Sequence, residues 1–278
     1  SSHMEAKKDG TIRFNKKLEL LKVKGKKKTD HVAVSRNGKI ELIDSNGIHI
    51  TGWSIPYGAK IFVKDGEKIS KGDVLFEWDP YTDVILARSD GNVIFKDMIK
   101  GETFVEEAVE GGKKMVLITE SKNRNLSPHL EIQTKKGSEI EVVTSILPIK
   151  ATVIVKEGSK VKAGQILVKI PKDAGKTRDI TGGLPRIAEL FEARNPSNPA
   201  VISEVDGTIK YGKTKRGVKE IHVMGKSQEK VYKIPYGKHV LVMEKDRVFA
   251  GDRLCEGSVS PQDILKIRGS YKAQEYLV

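Results

Sequence analysis

One short stretch of this chain occurs three times, beginning at Pro56, Pro148 and Pro235. "IPYGAKIFVKDGEKISKGDVL" and "IPYGKHVLVMEKDRVFAGDRL" align without a gap, and "LPIKATVIVKEGSKVKAGQILV" keeps the same order of Pro, β-branched residues, Gly and Leu. Apolar residues at alternate positions, interrupted by turn-forming Gly, predict pairs of short strands rather than helices. The chain is therefore expected to hold three related units, each large enough to bury a core.

A second motif precedes each copy of the first. It is Asp-Gly followed by alternating apolar residues, and it starts at Asp9, Asp90 and Asp206. Asp-Gly favours a tight turn, and the alternation predicts a half-buried strand. We therefore predict a mainly β fold of tandem barrel-like or sandwich-like units. The predicted ranges are 9–82 for the first unit, 83–178 for the second, 197–278 for the third, 179–196 for a helical segment and 1–8 for a lead-in.

The helical segment, "DITGGLPRIAELFEARNP", interrupts the β pattern. Pro185 suits the first turn of a helix, and residues 195–196, Asn-Pro, suit its end. Gly182 and Gly183 precede the helix and predict a hinge. The apolar residues predicted to share one helix face are Leu184, Ile187, Leu190 and Phe191.

The composition favours an anionic partner and a reducing environment. Lys and Arg number 50 against 37 Asp and Glu, a formal net charge of +13 that attracts polyanions such as nucleic acid. Residues 16–28 hold much of this excess, and they suit a solvated strand edge and a nucleic-acid contact equally. Cys255 is the single cysteine, which excludes an internal disulfide and fits a cytoplasmic setting. No apolar run is long enough to span a membrane.

Catalytic and metal-binding patterns are missing from the sequence. The six histidines show no metal-ligand spacing, and Gly182-Gly183 lacks the further glycines and the Lys of a phosphate-binding loop. Ser1–Met4 resembles the remnant of a cleaved purification tag, and no secretion signal follows it. We therefore expect no catalytic residue, metal site or cofactor in this chain, and no enzymatic activity of the chain alone.

Two binding functions remain open from the residues alone. Residues 63–95 are similar to biotinyl and lipoyl carrier domains, but residues 79–82, Asp-Pro-Tyr-Thr, stand where the modified lysine should be. Without that amine the chain cannot be acylated, so the likeness indicates shared barrel architecture. A free-standing nucleic-acid-binding protein of tandem barrels is the other alternative.

A more specific resemblance covers the chain from about Asp9 onward. "DITGGLPRIAELFEARNP" resembles the descending arm of the trigger loop, and the helix after it, in beta-prime, the largest catalytic subunit of bacterial RNA polymerase. "YGAKIFVKDGEKISKGDVLFEWDPYTDVILARSDGNVIFKDMIKGETF" resembles the insertion that interrupts that loop in many bacteria, and "PAVISEVDGTIKYG" with "SPQDILKIRGSYKAQEYLV" resembles the jaw region. The resemblance implies sandwich-barrel hybrid motif domains with one short amphipathic helix. It assigns the trigger-loop arm and hinge to Thr181, Gly182, Gly183, Leu184, Pro185 and Arg186.

The resemblance also implies a function. In that nucleotidyltransferase the trigger loop folds against the incoming nucleotide, so an inserted domain would modulate elongation, pausing and transcript cleavage without supplying catalytic groups. The implied partners are the beta, alpha, omega and sigma subunits, downstream DNA and transcript-cleavage factors, with no membrane. The magnesium-binding aspartates and zinc-binding cysteines of the family are absent from this sequence, so both metals are expected elsewhere in the parent enzyme.

A basic loop in the third unit is the predicted DNA contact. "TIKYGKTKRGVKEIHVM" alternates like two strands joined at residues 212–217, and this loop carries Lys213, Lys215 and Arg216 but no acidic residue. The resemblance puts the loop in the jaw, beside downstream DNA, where these side chains would contact phosphates. A solvated basic turn is the alternative.

Overall fold

The computed structural model describes residues 1–25, 29–172 and 183–278. Antiparallel strands dominate these ranges, which confirms the mainly β prediction. Thr181 and Gly182 of the predicted hinge lie outside the described residues. The helices are α1 Leu184–Phe191, α2 Pro261–Arg268 and α3 Ser270–Leu277, of which only α1 was predicted.

The first unit consists of two sheets that enclose one core. Its strands are β1 Ser2–Glu5, β2 Gly10–Phe14, β3 Leu20–Lys24, β4 Thr29–Ala33, β5 Lys39–Ile43, β6 His49–Ser54, β7 Lys60–Ile61, β8 Lys68–Ile69 and β9 Val74–Trp78. One sheet has the order β1-β9-β7-β4-β3, and the other has the order β6-β5-β2-β8. Alternate residues of these strands point inward, so Ile12, Leu42 and Phe76 are buried between the sheets.

The second unit has the same two sheets as the first, and each of its strands is numbered nine higher than its counterpart in the first unit. Its strands are β10 Thr82–Leu86, β11 Gly91–Lys96, β12 Phe104–Ala108, β13 Lys114–Ile118, β14 His129–Lys136, β15 Glu139–Ile146, β16 Thr152–Val153, β17 Lys160–Val161 and β18 Ile166–Pro171. The sheet orders are β10-β18-β16-β13-β12 and β15-β14-β11-β17. Val93, Leu130 and Leu167 are fully buried in its core.

The third unit keeps one of the two sheets. Its strands are β19 Gly207–Lys215, β20 Val218–Met224, β21 Glu229–Ile234 and β22 Arg247–Val248, in the order β21-β20-β19-β22. Isolated bridges stand in place of the other sheet, and they join Pro199 to Ser258, Ile202 to Arg253 and Val240 to Cys255. The core of this unit includes Ile209, Ile221 and Leu254.

The two sequence motifs meet in space in every unit. In the first, Oδ1 of Asp9 accepts a hydrogen bond of 2.7 Å from the backbone N–H of Lys71, immediately before Gly72 of the Pro-led repeat. The Asp-Gly turn therefore fastens the start of one strand to the turn before another. The corresponding bonds run from Ala163 N to Asp90 and from Ala250 N to Asp206, at 2.8 and 2.7 Å.

The glycine of each Asp-Gly pair is required by close packing. A Cβ built on Gly91 would lie 2.6 Å from the carbonyl oxygen of Gln133 on the neighbouring strand. Gly207 would meet the carbonyl oxygen of Met224 at the same distance. The Asp of the motif thus supplies a carboxylate that accepts a backbone hydrogen bond, and the Gly leaves room for the carbonyl oxygen of the neighbouring strand.

Two features near the predicted boundaries differ from expectation. Strand β1 begins at Ser2 and pairs with β9, so part of the segment set apart as a lead-in belongs to the first unit. Thr82, the predicted last residue of that unit, begins β10 of the second. The detailed domain limits stay a prediction.

Candidate functional site

The three units meet at a buried arginine. Arg88 follows β10 in the second unit, and its Nη2 donates a hydrogen bond of 3.0 Å to the carbonyl oxygen of Val34 in the first. The same guanidinium forms an ion pair with Asp246 of the third unit. Glu19 of the first unit lies 3.4 Å away. We call Arg88, Asp246 and the Val34 carbonyl the junction, because together they join all three units.

Burial shifts the protonation of the groups around the junction. Burial raises the pKa of Asp246, and the Arg88 guanidinium partly offsets this by favouring the carboxylate. Burial, and then the Asp246 carboxylate, raise the pKa of Tyr57 to about 12. Tyr211 also has a raised pKa because it is buried, and its hydroxyl donates to the Val242 carbonyl oxygen at 2.5 Å. The shifted groups lie where the units pack against one another.

A second contact joins the second unit to the third. Glu244 accepts hydrogen bonds from the backbone N–H of Thr144 on β15 at 3.0 Å and of Tyr211 on β19 at 2.9 Å. Lys245 forms an ion pair with Glu141 on β15. The edge strand β15 is thus partly capped by acidic and basic side chains of the neighbouring unit.

The predicted helix forms, but its apolar face is not buried. Helix α1 begins at Leu184 after Gly183, whose φ of 66° is in the left-handed region that favours glycine, and Pro185 lies in its first turn. Leu184 is 81% exposed and Phe191 is 87% exposed, with Ile187 also exposed. Such a face normally packs against another surface, so α1 is a candidate contact with a partner.

Arg186 attaches α1 to the end of the third unit. Its Nη2 donates to the hydroxyl of Tyr276 on α3 at 2.8 Å and to the carbonyl oxygen of Val259 at 3.2 Å. Its Nη1 forms an ion pair of 3.0 Å with Glu189, one turn along the helix. Among the predicted arm residues that the structure describes, Arg186 is the one with side-chain bonds to another element.

The predicted basic loop is a tight hairpin. Strand β19 extends through Lys215, so Lys213 and Lys215 lie on the strand and only Arg216 and Gly217 form the turn. Both turn residues have positive φ, 51° and 79°, which is typical of two-residue hairpins. Lys213, Lys215 and Arg216 are exposed, and none of their side chains forms a hydrogen bond or ion pair within the described ranges. Their contact with DNA stays a prediction.

The lysine-rich segment 16–28 is partly used within the molecule. The Lys17 ammonium lies 4.8 Å from the centre of the Phe249 ring and 3.6 Å from Asp252, both in the third unit. Lys17 thus contributes a cation–π contact between the first and third units. Lys22 and Lys24 are exposed on the edge strand β3, as the strand-edge interpretation expects, and residues 26–28 lie outside the described part.

Two other expectations bear on the site. Residues 79–81 connect β9 to β10, which pair with β1 and β18 respectively, so they join two units and are not a hairpin tip. Within the described ranges, no three His, Cys, Asp or Glu side chains are grouped to hold a metal ion. None of the described helices is long and apolar enough to cross a membrane.

Comparison with known proteins decides the family. No protein-family model matches the chain. The chain is 43% identical over its whole length to DNA-directed RNA polymerase subunit beta′ of Salinibacter ruber, and 44% identical over 96% of its length to that of Flavobacterium johnsoniae. The chain belongs to the RNA polymerase beta′ family. The beta′ subunit of Bacteroides fragilis is 45% identical over 89% of the chain. The chain spans about a fifth of the length of these beta′ relatives, 17% to 19%.

Sequence reasoning missed the contacts that hold this beta′ segment together. No local motif pairs Arg88 with Asp246, since the two residues lie in different units and are 158 residues apart in sequence. Helix α2 did leave a signal, because Ser260 caps it by accepting from Gln262 N, followed by Pro261 and by Asp263 in the first turn.

Proposed function

We propose that the chain is a non-catalytic part of a beta′ subunit, comprising the trigger-loop insertion and the jaw, and that it modulates elongation, pausing and transcript cleavage. The observation that carries the proposal is the state of α1. This helix is held to the third unit by polar bonds from Arg186, while its apolar face is exposed. A helix in this state is suited to transmit movement between the units and a further surface of the polymerase.

The junction supports a mechanical role for the three units. Because Arg88 bonds to both other units, they are expected to move as one body when the arm moves. Contacts that this body makes with other parts of the enzyme would then favour either the folded or the unfolded trigger loop. The chain would change the populations of these states, and the chemical step would stay with groups elsewhere.

The partners follow from membership of the polymerase. The beta, alpha, omega and sigma subunits complete the enzyme, and transcript-cleavage factors would act on the same states of the trigger loop. We propose that magnesium and zinc are bound elsewhere in beta′, and that the enzyme works in the cytoplasm. No step proposed for this chain uses a metal ion.

Replacement of Arg186 tests the coupling. In the reconstituted polymerase, Arg186→Gln removes the charge-assisted bonds to Tyr276 and Val259, so the arm should move independently of the third unit. We expect the lifetime at a defined pause site to shorten about fivefold, the lower end of common coupling energies. Arg194→Gln is the matched control, because Arg194 is exposed and pairs with its neighbour Glu192. Equal pause lifetimes in the two variants would contradict the coupling.

We also propose that the hairpin residues Lys213, Lys215 and Arg216 contact phosphates of downstream DNA. Their joint replacement by Ala should shorten the lifetime of the elongation complex. It should also make the plot of log lifetime against log salt concentration less steep, with a slope smaller by about 2 to 3, because each lost phosphate contact removes near 0.9. The control replaces three exposed lysines of the first unit that lie outside segment 16–28, Lys60, Lys64 and Lys68. If lifetime and salt dependence match those of the control, the hairpin is only solvated.

The two alternative functions are less well supported. A carrier protein would show a covalent biotinyl or lipoyl adduct in its intact mass, yet residues 79–81 join two units and include no lysine. A free-standing nucleic-acid-binding protein would bind DNA in a salt-sensitive manner with no polymerase present. The relatives from Salinibacter, Flavobacterium and Bacteroides are all named as polymerase subunits, which favours the first proposal.

A further inference from the structure

A cleft of about 380 Å³ lies between the second and third units, away from α1 and beside Gly217 of the hairpin turn. One wall is aliphatic and includes Leu126, Pro148 and Ile149 of the second unit. Ile149 is 49% exposed, although a residue of this type usually packs against another apolar group. The cleft is large enough for a small ligand or a few side chains of a peptide.

The opposite wall carries an unpaired cation. Lys219 is on β20, where its side chain shares the inward face with the buried Ile221 and Val223. Its ammonium has no hydrogen bond or ion pair with any residue that the structure describes. Burial lowers the pKa of Lys219, because water is withdrawn and no carboxylate takes its place. A half-buried cation without a partner indicates that an anion is missing from this wall.

Further cations make the cleft basic on balance. Arg124 lies above the Tyr236 ring, with its guanidinium carbon 4.7 Å from the ring centre. Arg36 and Lys238 also line the cleft, against the carboxylates of Glu120 and Glu256. His239 adds no charge at neutral pH, since burial lowers its pKa further below the usual value.

We propose that this cleft binds an acidic peptide segment of a partner protein, with an aliphatic or aromatic side chain against the Ile149 wall and a carboxylate on Lys219 and Arg124. The combination of an aliphatic wall and cations fits such a peptide better than a nucleic acid. Single-stranded nucleic acid needs free aromatic faces for stacking, whereas the Tyr236 ring is already covered by Arg124. The proposal does not depend on the role of the arm helix or of the basic hairpin.

Selection from a random peptide library displayed on phage, with the full chain immobilised, tests the proposal. We expect the enriched peptides to share Asp or Glu residues next to an apolar residue. The best peptide is then labelled with fluorescein, and its affinity is measured by fluorescence anisotropy. An enriched set without acidic residues, or no enrichment, would overturn the proposal.

Two variants locate the binding site. Lys219→Met keeps the length of the side chain and removes its charge, and Arg124→Gln changes an exposed loop residue. Each should weaken the peptide about tenfold, the usual value of a lost charge-assisted hydrogen bond. Lys233→Met is the matched control, because Lys233 is exposed on the neighbouring strand β21 outside the cleft. Equal weakening by this control, or none by either test variant, refutes the site.

The charge of Lys219 and the class of the ligand are tested by two further measurements. Because the pKa of Lys219 is lowered, binding should weaken with rising pH before an ordinary lysine would lose its charge, and this pH dependence should vanish in Lys219→Met. A labelled oligothymidylate is measured in parallel. If it binds more tightly than the peptide and depends on Lys219, the cleft is a nucleic-acid site and the peptide assignment is wrong.

Discussion

Replacement of Arg88 by Met should separate the three units. The substitution removes the guanidinium that pairs with Asp246 and bonds to the Val34 carbonyl, and it keeps most of the aliphatic volume. Asp246 would then be a buried carboxylate without a cation. The effect is therefore expected to exceed that of any exposed ion pair in the chain.

The structure sets the size of this effect. The side chains of Arg88 and Asp246 are only 13% and 7% exposed, so solvent screens their attraction weakly. Removing one partner of such a pair costs about 3 to 5 kcal/mol of unfolding free energy. The Nε of Arg88 is buried without an acceptor among the described residues, so the pair is not fully satisfied and the lower end, about 3 kcal/mol, applies.

Unfolding in urea, followed by two signals, measures the effect. Both tryptophans, Trp53 and Trp78, pack against the core of the first unit, so fluorescence reports that unit while far-ultraviolet circular dichroism reports all three. The two curves should coincide in the wild type and separate in Arg88→Met. The raised pKa of Asp246 means that the folded state binds its proton more readily than the unfolded state. The loss of unfolding free energy in Arg88→Met should therefore become smaller as the pH falls, because the unpaired Asp246 carboxyl becomes neutral.

Arg13→Met is the matched control, because Arg13 pairs with Glu41 at the surface of the first unit. That pair should contribute less than about 1 kcal/mol. Adding Asp246→Asn to Arg88→Met should recover part of the loss by removing the uncompensated charge. A loss no larger than that of Arg13→Met, with fluorescence and dichroism still coincident, would refute the role of the junction.

Three further predictions concern single residues and the chain as a whole. Gly91→Ala should cost more than about 2 kcal/mol in urea unfolding, because the new Cβ would lie 2.6 Å from the Gln133 carbonyl oxygen, whereas Gly52→Ala, with 3.4 Å to its nearest neighbour, should be nearly neutral. Because the pKa of Tyr57 is raised to about 12, the unfolding free energy should fall by up to about 2 kcal/mol as the pH rises from about 10 to about 12. The fall should be smaller in Tyr57→Phe. An equal fall with pH in the two proteins would contradict this prediction. The isolated chain should neither polymerise nor hydrolyse nucleoside triphosphates with magnesium present, and turnover that survives repurification would overturn that expectation.

The repeated architecture could be predicted from sequence because it is encoded locally. The spacing around Pro56, Pro148 and Pro235 and the three Asp-Gly pairs each specify a strand and a turn. The bond from Lys71 to Asp9 could not be predicted, since the two residues are far apart in sequence and only the closed sheet brings them together. The junction was hidden for the same reason.

The candidate site was predicted less completely. The position of α1 followed from Pro185 and the apolar spacing, but the spacing also implied a buried face, and Leu184 and Phe191 are exposed. An apolar pattern indicates that a helix face packs against another surface, but it does not indicate whether that surface belongs to the same chain. The basic loop was drawn too long because the apolar alternation ends at Tyr211, whereas the strand continues to Lys215 through a β-bulge between Tyr211 and Thr214.

Comparison of the three units identifies one connection between paired strands whose length varies without a change in the pairing of those strands. Between the Asp-Gly strand and its hairpin partner, the first unit carries residues 15–38 and the second carries 97–128, while the third closes the same connection with Arg216 and Gly217 alone. Loop-closure entropy grows slowly with length, so this position can hold either a short turn or a folded hairpin. For protein engineering, the turn at Arg216 is thus a natural insertion point, where a fluorescent tag or a cross-linking segment could be added without entering the core.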